Sequence, residues 1–353
     1  MSILKFLVSF NLVICACSSF AATKYWSGAT SADANKLANW FDDAAFSVPS
    51  TMLPVTGDDI ILGAGAKYMK WNLNDVAPGS WTQTVDYTGT VTFHTGRKKG
   101  YNGTLYGFTE DNGESRVFKI TGNCSLQSGT WTHPTQPDFS SYTSTQAYTS
   151  GHGLYHIIAN ILGDLNVGAA FIANANDRGF SGKSRGPGAG LANSSASHGG
   201  YGGGGNDIKT SAPYGSFRNP CTIGSSSTTA NVGGGAIELI VGGALTIADG
   251  AIFRANAKNT TYYTGSGGSI SIIASSISGG GTFMANGGEI SSKIYGGGGG
   301  GGRISIILTG ANADFSSFTG TYSACHMPGT AGTKIDGSGG TIYLECANCW
   351  GFV

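Results

Sequence analysis

Cleavage of a glycosidic bond needs two carboxylates flanking it, one donating a proton and the other acting as base or nucleophile. The chain carries two adjacent acid pairs, Asp42-Asp43 and Asp58-Asp59. Both precede the repeated part of the sequence and are expected to belong to a terminal cap rather than a catalytic groove. From residue 234 onward acids are sparse and hold no equivalent position in successive repeats, so converging carboxylates for acid–base work or calcium are not predicted. His94, His133, His152, His156, His198 and His326 show no HExxH or other metal-ligand spacing. Cys346-Ala347-Asn348-Cys349 has redox or zinc spacing, but no second such pair accompanies it, and a disulfide staple involving Cys346 and Cys349 is the expectation. No nucleophile motif and no Walker pattern occurs. These residues predict no catalytic site, no metal and no cofactor.

What does recur is structural. Four Gly-Gly-x-Ile tetrads open short apolar runs, ending at Ile237, Ile270, Ile304 and Ile342, separated by 33, 34 and 38 residues. A second tetrad, Phe-x-x-Asn, occurs as Phe171–Asn174, Phe253–Asn256 and Phe283–Asn286, with a degraded copy at Tyr322–Cys325. Each repeat divides into three strand-length pieces, such as Ile237–Ile240, Leu245–Ile247 and Ile252–Ala255. Alternations such as Ile270-Ser271-Ile272 are the period-two signal of half-buried strands. One such circuit cannot bury its apolar face or pair its backbone edges alone, and stacking circuits does both. The predicted fold is therefore all-β: a right-handed single-stranded parallel β-helix, with glycine-rich loops between coils. The isoleucines are expected to face the interior, and the asparagines to sit at corners in left-handed geometry and stack through their amides. Residues 22–80 are expected to form an N-terminal cap with the first strands, including a short helix over 32–43. Residues 81–353 would form the coils, with a long polar insertion near 176–233.

The Gly-Gly-Ala-Ile and Phe-Arg-Ala-Asn tetrads at 234–237 and 253–256 resemble those of the chlamydial polymorphic membrane proteins. In that family, repeated GGA(I/L/V) and FxxN motifs mark a β-helical passenger. That resemblance implies adhesion at a cell surface, while the cap, with Tyr25-Trp26-Ser27-Gly28, Asn39-Trp40 and Gly57-Asp58-Asp59-Ile60-Ile61, looks like the start of many secreted bacterial β-helix proteins; together the likeness covers the cap and roughly residues 150–345. The membrane barrel of such passengers has no counterpart after Ile342, so the chain is expected to be released, lipid-anchored or held by partners. Gly151-His152-Gly153 matches one short motif of pectin-hydrolysing β-helix enzymes, but the companion Asn-Thr-Asp, paired-aspartate and Arg-x-Lys elements do not follow in order.

Composition fits an exported β-protein. Glycine supplies 59 of 353 residues and charged residues only 11%, yet 40% are hydrophobic, which excludes the low-hydrophobicity signature of disorder. Lys+Arg and Asp+Glu are both 20, and nothing points to nucleic acid. Lys5, the apolar run Phe6–Ala16 and Ser19-Phe20-Ala21 form a signal peptide over 1–21, while Val13–Cys17 leaves open a lipid anchor on Cys17. No later segment reaches transmembrane length. The expectation is a noncatalytic extracellular or cell-surface protein, adhesive or structural, whose partner is a surface glycan or a host or neighbour-cell protein. The alternative is a polysaccharide lyase or glycoside hydrolase. Trp81, Trp131 and Tyr262-Tyr263 are candidates to stack on sugars if exposed.

Overall fold

The computed structural model describes residues 21–96, 116–136, 155–191, 193–204, 210–290, 297–326 and 336–347. Over these the protein is all-β, with 17 strands in one sheet. Every pairing between strands is parallel except that of β1 (Thr23–Trp26) with β2 (Trp40–Phe41).

The parallel pairings fall into three ladders. The first runs through β1, β3 (Asp59–Leu62), β5 (Ser80–Gln83) and the leading halves of β8 (Cys124–Thr132) and β10 (Leu165–Asn174). It continues into the trailing halves of β11 (Ala236–Ile247) and β13 (Ser269–Gly279). The second runs through β4 (Met69–Trp71), β6 (Thr90–Phe93) and the trailing halves of β8 and β10. It goes on through β12 (Ile252–Arg254), β14 (Thr282–Met284) and β16 (Thr321–Ser323). The third joins β7 (Phe118–Ile120), β9 (Ile157–Ile161) and the leading halves of β11 and β13 to β15 (Arg303–Leu308) and β17 (Thr341–Cys346). From β7 to β14 the chain visits third, first and second ladder in unbroken rotation. The three pieces of the repeats that open at Ile237 and Ile270 thus lie one on each ladder.

Period-two alternation sends one set of side chains inward. Ile237, Ile270 and Ile304 stand side by side on the third ladder and are fully buried. Ile342 is their register partner but is 36% exposed, because among the described residues β17 is paired on one side only. On the second ladder Phe253, Phe283 and Tyr322 are in register, with stacked rings 4.8 and 5.7 Å apart. Trp131 and Phe171 extend this aromatic column edge-to-face, each contact adding about 0.5–1.5 kcal/mol beyond its burial.

The first Phe-x-x-Asn copy is out of step. Ala173, not Phe171, pairs with Phe253, and Asn174 pairs with Arg254. Phe171 and Ala173 exchange sizes relative to Ala251 and Phe253, so the same volume fills the core two residues earlier along the strand. Asn176 then takes the place that Asn174 was expected to hold.

The two tetrads are the two ends of one hydrogen bond. The second glycine N–H of each Gly-Gly-x-Ile donates to an upstream alanine carbonyl: Gly268 to Ala255, Gly302 to Ala285 and Gly340 to Ala324, each within the preceding motif, and Gly235 to Ala175, one residue beyond the out-of-step Phe171–Asn174 copy, all at 2.7–2.8 Å. Each circuit is clasped shut at this point.

The longer glycine runs pack backbone on backbone. Gly199 and Gly200 both donate to the Gly301 carbonyl, Gly203 donates to Gly298, and Gly300 donates to Ala196. The insertion is therefore folded onto later circuits.

At the N-terminus the expected helix is reduced to a single 3-10 turn, Leu37–Asn39. Lys70 holds Ala32 and Ala34 in an extended pairing, its N–H donating to Ala32 and its carbonyl accepting from Ala34. Asn39 is buried and its side-chain oxygen accepts the N–H groups of Thr30 and Ser31, which a helix would have needed elsewhere. Parallel pairing already begins at β1, within the segment read as a cap.

Candidate functional site

Two groups of polar residues stand on the outer face of the third ladder, where strand alternation turns Glu238, Ser271, Ser305 and Tyr343 away from the core. At the early end, Glu238 Oε1 lies 3.0 Å from His156 Nδ1, both side chains buried. The Thr95 hydroxyl donates to the His156 carbonyl and accepts the Ile158 N–H. Gln136 ties the segments together, accepting from Tyr155 N–H and donating to the carbonyls of Tyr155 and Arg178. His133 is fully buried, with Nδ1 2.8 Å from the Pro134 carbonyl, which assigns the proton to that nitrogen. Its Nε2 has no hydrogen-bond partner and faces Gly235, where any side chain would collide with it. Burial holds the His133 pKa well below its usual range, and His156 and Arg178 press the same way. His94, stacked edge-on against Tyr155, is lowered to about 4 by burial and then by Lys70 and Arg116.

A histidine oriented by a carboxylate is the base-and-orienter half of a catalytic triad. Here both groups are sealed from solvent and join the start of β9 to β11, which is a structural use. No spacing pattern foretold this cluster, since its members come from separate segments that only the ladder register brings together.

Further along, the insertion covers β13 and β15. Ser269 donates to the Thr222 carbonyl at 2.6 Å, Ser305 to Arg218 at 2.7 Å, and Arg303 Nε to Tyr214 at 2.8 Å. His198 is fully buried among them, with Nδ1 2.7 Å from the Gly267 carbonyl and Nε2 2.7 Å from the Thr222 hydroxyl. A neutral imidazole protonated on Nδ1 satisfies both contacts.

The acid pairs are also occupied. Asp42 binds Lys24 Nζ at 2.8 Å, and Asp43 closes the turn at Ser47 and Val48. Asp58 accepts the N–H groups of Ala22 and Val55, and Asp59 accepts from the Ser80 hydroxyl. Glu345 takes two hydrogen bonds from Arg218 and one from Tyr343, which hold its carboxyl down at about 2. Among the described residues no cluster of three or more His, Cys, Asp or Glu is arranged to hold a metal.

Trp81 and Trp131 are buried, and both indoles donate to the Gln83 side chain, so they offer no sugar-stacking face. Tyr262 remains exposed. None of Asn174, Asn256 and Asn286 adopts left-handed backbone geometry. The stacking is instead side chain to backbone: Asn176 Oδ1 accepts the Asn256 N–H, Asn256 Oδ1 accepts from Asn286, and Asn286 Oδ1 accepts from Cys325, at 2.8–2.9 Å. Replacing Asn256 by Ala is expected to lower stability by about 1 kcal/mol, the worth of one such bond. Urea unfolding checks this, and an unchanged midpoint would remove the ladder from the account. Cys346 is disulfide-bonded. Its expected partner Cys349, the signal peptide with Cys17, and Gly151-His152-Gly153 lie outside the described residues. No helix among the described residues is long and apolar enough to cross a membrane.

The chain matches no known protein family, no curated protein and no solved structure.

Proposed function

We propose that the chain winds as a right-handed single-stranded parallel β-helix, is exported, and acts outside the cell or at its surface as a noncatalytic adhesive protein. The rotation of the strands through three parallel ladders supports the winding. The function rests chiefly on one observation: the candidate acids are each committed to a structural bond, with Asp43 and Asp58 closing turns and Glu238 buried against His156. The resemblance of the tetrads to adhesive passengers supports the same reading.

The test is a screen of the mature protein against neutral and acidic polysaccharides, recording retention on the glycan and release of reducing or unsaturated ends. Retention without products is expected. Products that vanish in an Asp58→Asn/Asp59→Asn variant would overturn the noncatalytic reading, and absence of both signals would leave only a structural role.

A further inference from the structure

We infer that the outer face of the first ladder, from Thr82 to Ser278, is the surface on which an extended chain of a neutral polysaccharide lies; the inference rests on the adhesive reading above. Trp81, Cys124, Leu165, Leu245 and Ile277 are in register and buried, so strand alternation turns the residue after each of them outward. That outward row is Thr82, Ser125, Asn166, Thr246 and Ser278, half-exposed or exposed throughout. At about 4.8 Å per strand it runs for about 19 Å along the axis.

The three outer faces differ. The third is covered by the insertion, which takes up Ser269, Arg303 and Ser305. The second carries cations, Lys70 and Arg254, at outward positions. The strands of the first ladder from β3 to β13 hold no Lys or Arg. Their outer face offers hydroxyls, amides and the exposed carboxylate of Asp164, a set that pairs with sugar hydroxyls and repels an acidic polymer.

Two groups beside the row are fixed before any ligand arrives. Asn123 Oδ1 accepts the Asp164 N–H at 2.9 Å, and Asp164 Oδ1 accepts the Ala244 N–H at 2.8 Å. Gly163 and Gly243 leave the space this needs, since a side-chain carbon on them would stand 2.2 and 2.1 Å from those two oxygens. Both side chains are exposed, and Asn123 Nδ2 and Asp164 Oδ2 take no bond among the described residues. A pinned donor and a pinned acceptor on neighbouring circuits therefore lose little side-chain entropy on binding. A sugar hydroxyl, donor and acceptor at once, pairs with either.

Binding of the mature protein is measured on hydroxyethylcellulose, unsubstituted dextran and polygalacturonate at low and high salt. Retention on a neutral polymer, unchanged by salt, is expected, because the face carries no cation to be screened. Thr246 and Thr321 make a matched pair. Both are exposed, and each hydroxyl meets one on a neighbouring circuit, Ser278 at 3.4 Å and Thr282 at 3.2 Å, but Thr321 stands on the second ladder. Thr246→Lys should weaken binding by about tenfold or more and Thr321→Lys should not, with the melting temperature unchanged in both. Asn166→Ala should give a smaller loss in the same direction. Undiminished binding by Thr246→Lys and Asn166→Ala would overturn the face, as would an equal loss in Thr321→Lys, while leaving glycan adhesion standing. Retention on polygalacturonate alone, released by salt, would overturn it in the same way. Failure of the wild-type protein to bind any polysaccharide would overturn the face and the glycan-adhesion reading together.

Discussion

Gly267→Ala is expected to destabilise the protein by about 3 kcal/mol or more, whereas Gly339→Ala should be neutral or slightly stabilising. Both are the first glycine of a Gly-Gly-x-Ile tetrad. Gly267 lies flat against the clasp of the following circuit, the bond from Gly302 N–H to Ala285 O, and a methyl carbon there would stand 2.6 Å from the Gly302 nitrogen. Gly234 meets the next clasp in the same way, 2.5 Å from the Gly268 nitrogen. The obstruction is backbone on both sides, so no rotamer change relieves it, and the cost belongs to overpacking. Gly339 opens the last tetrad and, among the described residues, has no following clasp and nothing within 4 Å of the added carbon. There the substitution only narrows the unfolded ensemble. Urea unfolding of the two variants in parallel decides the matter. Equal small effects would mean that the circuits are not closed by the clasp, and equal large effects would mean that the tetrad glycines serve backbone conformation instead.

This contrast also shows what the sequence makes legible. The spacing of Ile237, Ile270, Ile304 and Ile342 is sufficient to put them in one ladder, because a repeat of strand-length pieces has few ways to pair its edges. The exposure of Ile342 is a matter of which strands lie beside it, and residue type carries no trace of that. The Phe171 copy misleads for a related reason: motif matching aligns phenylalanine with phenylalanine, while the register is held by the pairing of Leu165 with Leu245 and Ile172 with Ile252. The aromatic column tolerates the displacement because Ala173 and Ala251 make room in alternate positions. Glycine runs are ambiguous in composition, since the same residues make a flexible linker or a close-packed layer. What decides for the layer is that carbonyls such as those of Gly298 and Gly301 are supplied by a distant run. The histidine cluster was invisible for the same reason, as His133, His156, Arg178 and Glu238 share no spacing and meet only through the ladders.

Acid should weaken the fold well before its carboxylates titrate. His198 is buried and neutral, and burial, reinforced by Arg303, lowers its pKa from 6.5 to about 3. A base whose pKa is depressed by folding binds its proton more readily in the unfolded chain. The stability it supports is therefore complete above pH 6.5 and is lost as pH falls below that value, until the folded group itself protonates near pH 3. Between pH 6.5 and pH 4.5 the loss from His198 amounts to about 2–3 kcal/mol, at 1.36 kcal/mol per pH unit per proton. His133 adds to it in the same direction. Glu345, held at about 2 by Arg218, loses its contribution only below the ordinary carboxylate range, so the window above pH 4.5 isolates the imidazoles. The measurement is urea unfolding of wild-type protein and of His198→Gln at steps between pH 7 and pH 4.5. The wild-type stability should fall steeply, and the variant, less stable at pH 7, should fall with a slope smaller by about one proton. Parallel slopes would show that His198 takes up a proton in the folded state, and hence that the insertion over β13 and β15 admits solvent to a site the packing of Thr222, Tyr214 and Gly267 otherwise closes.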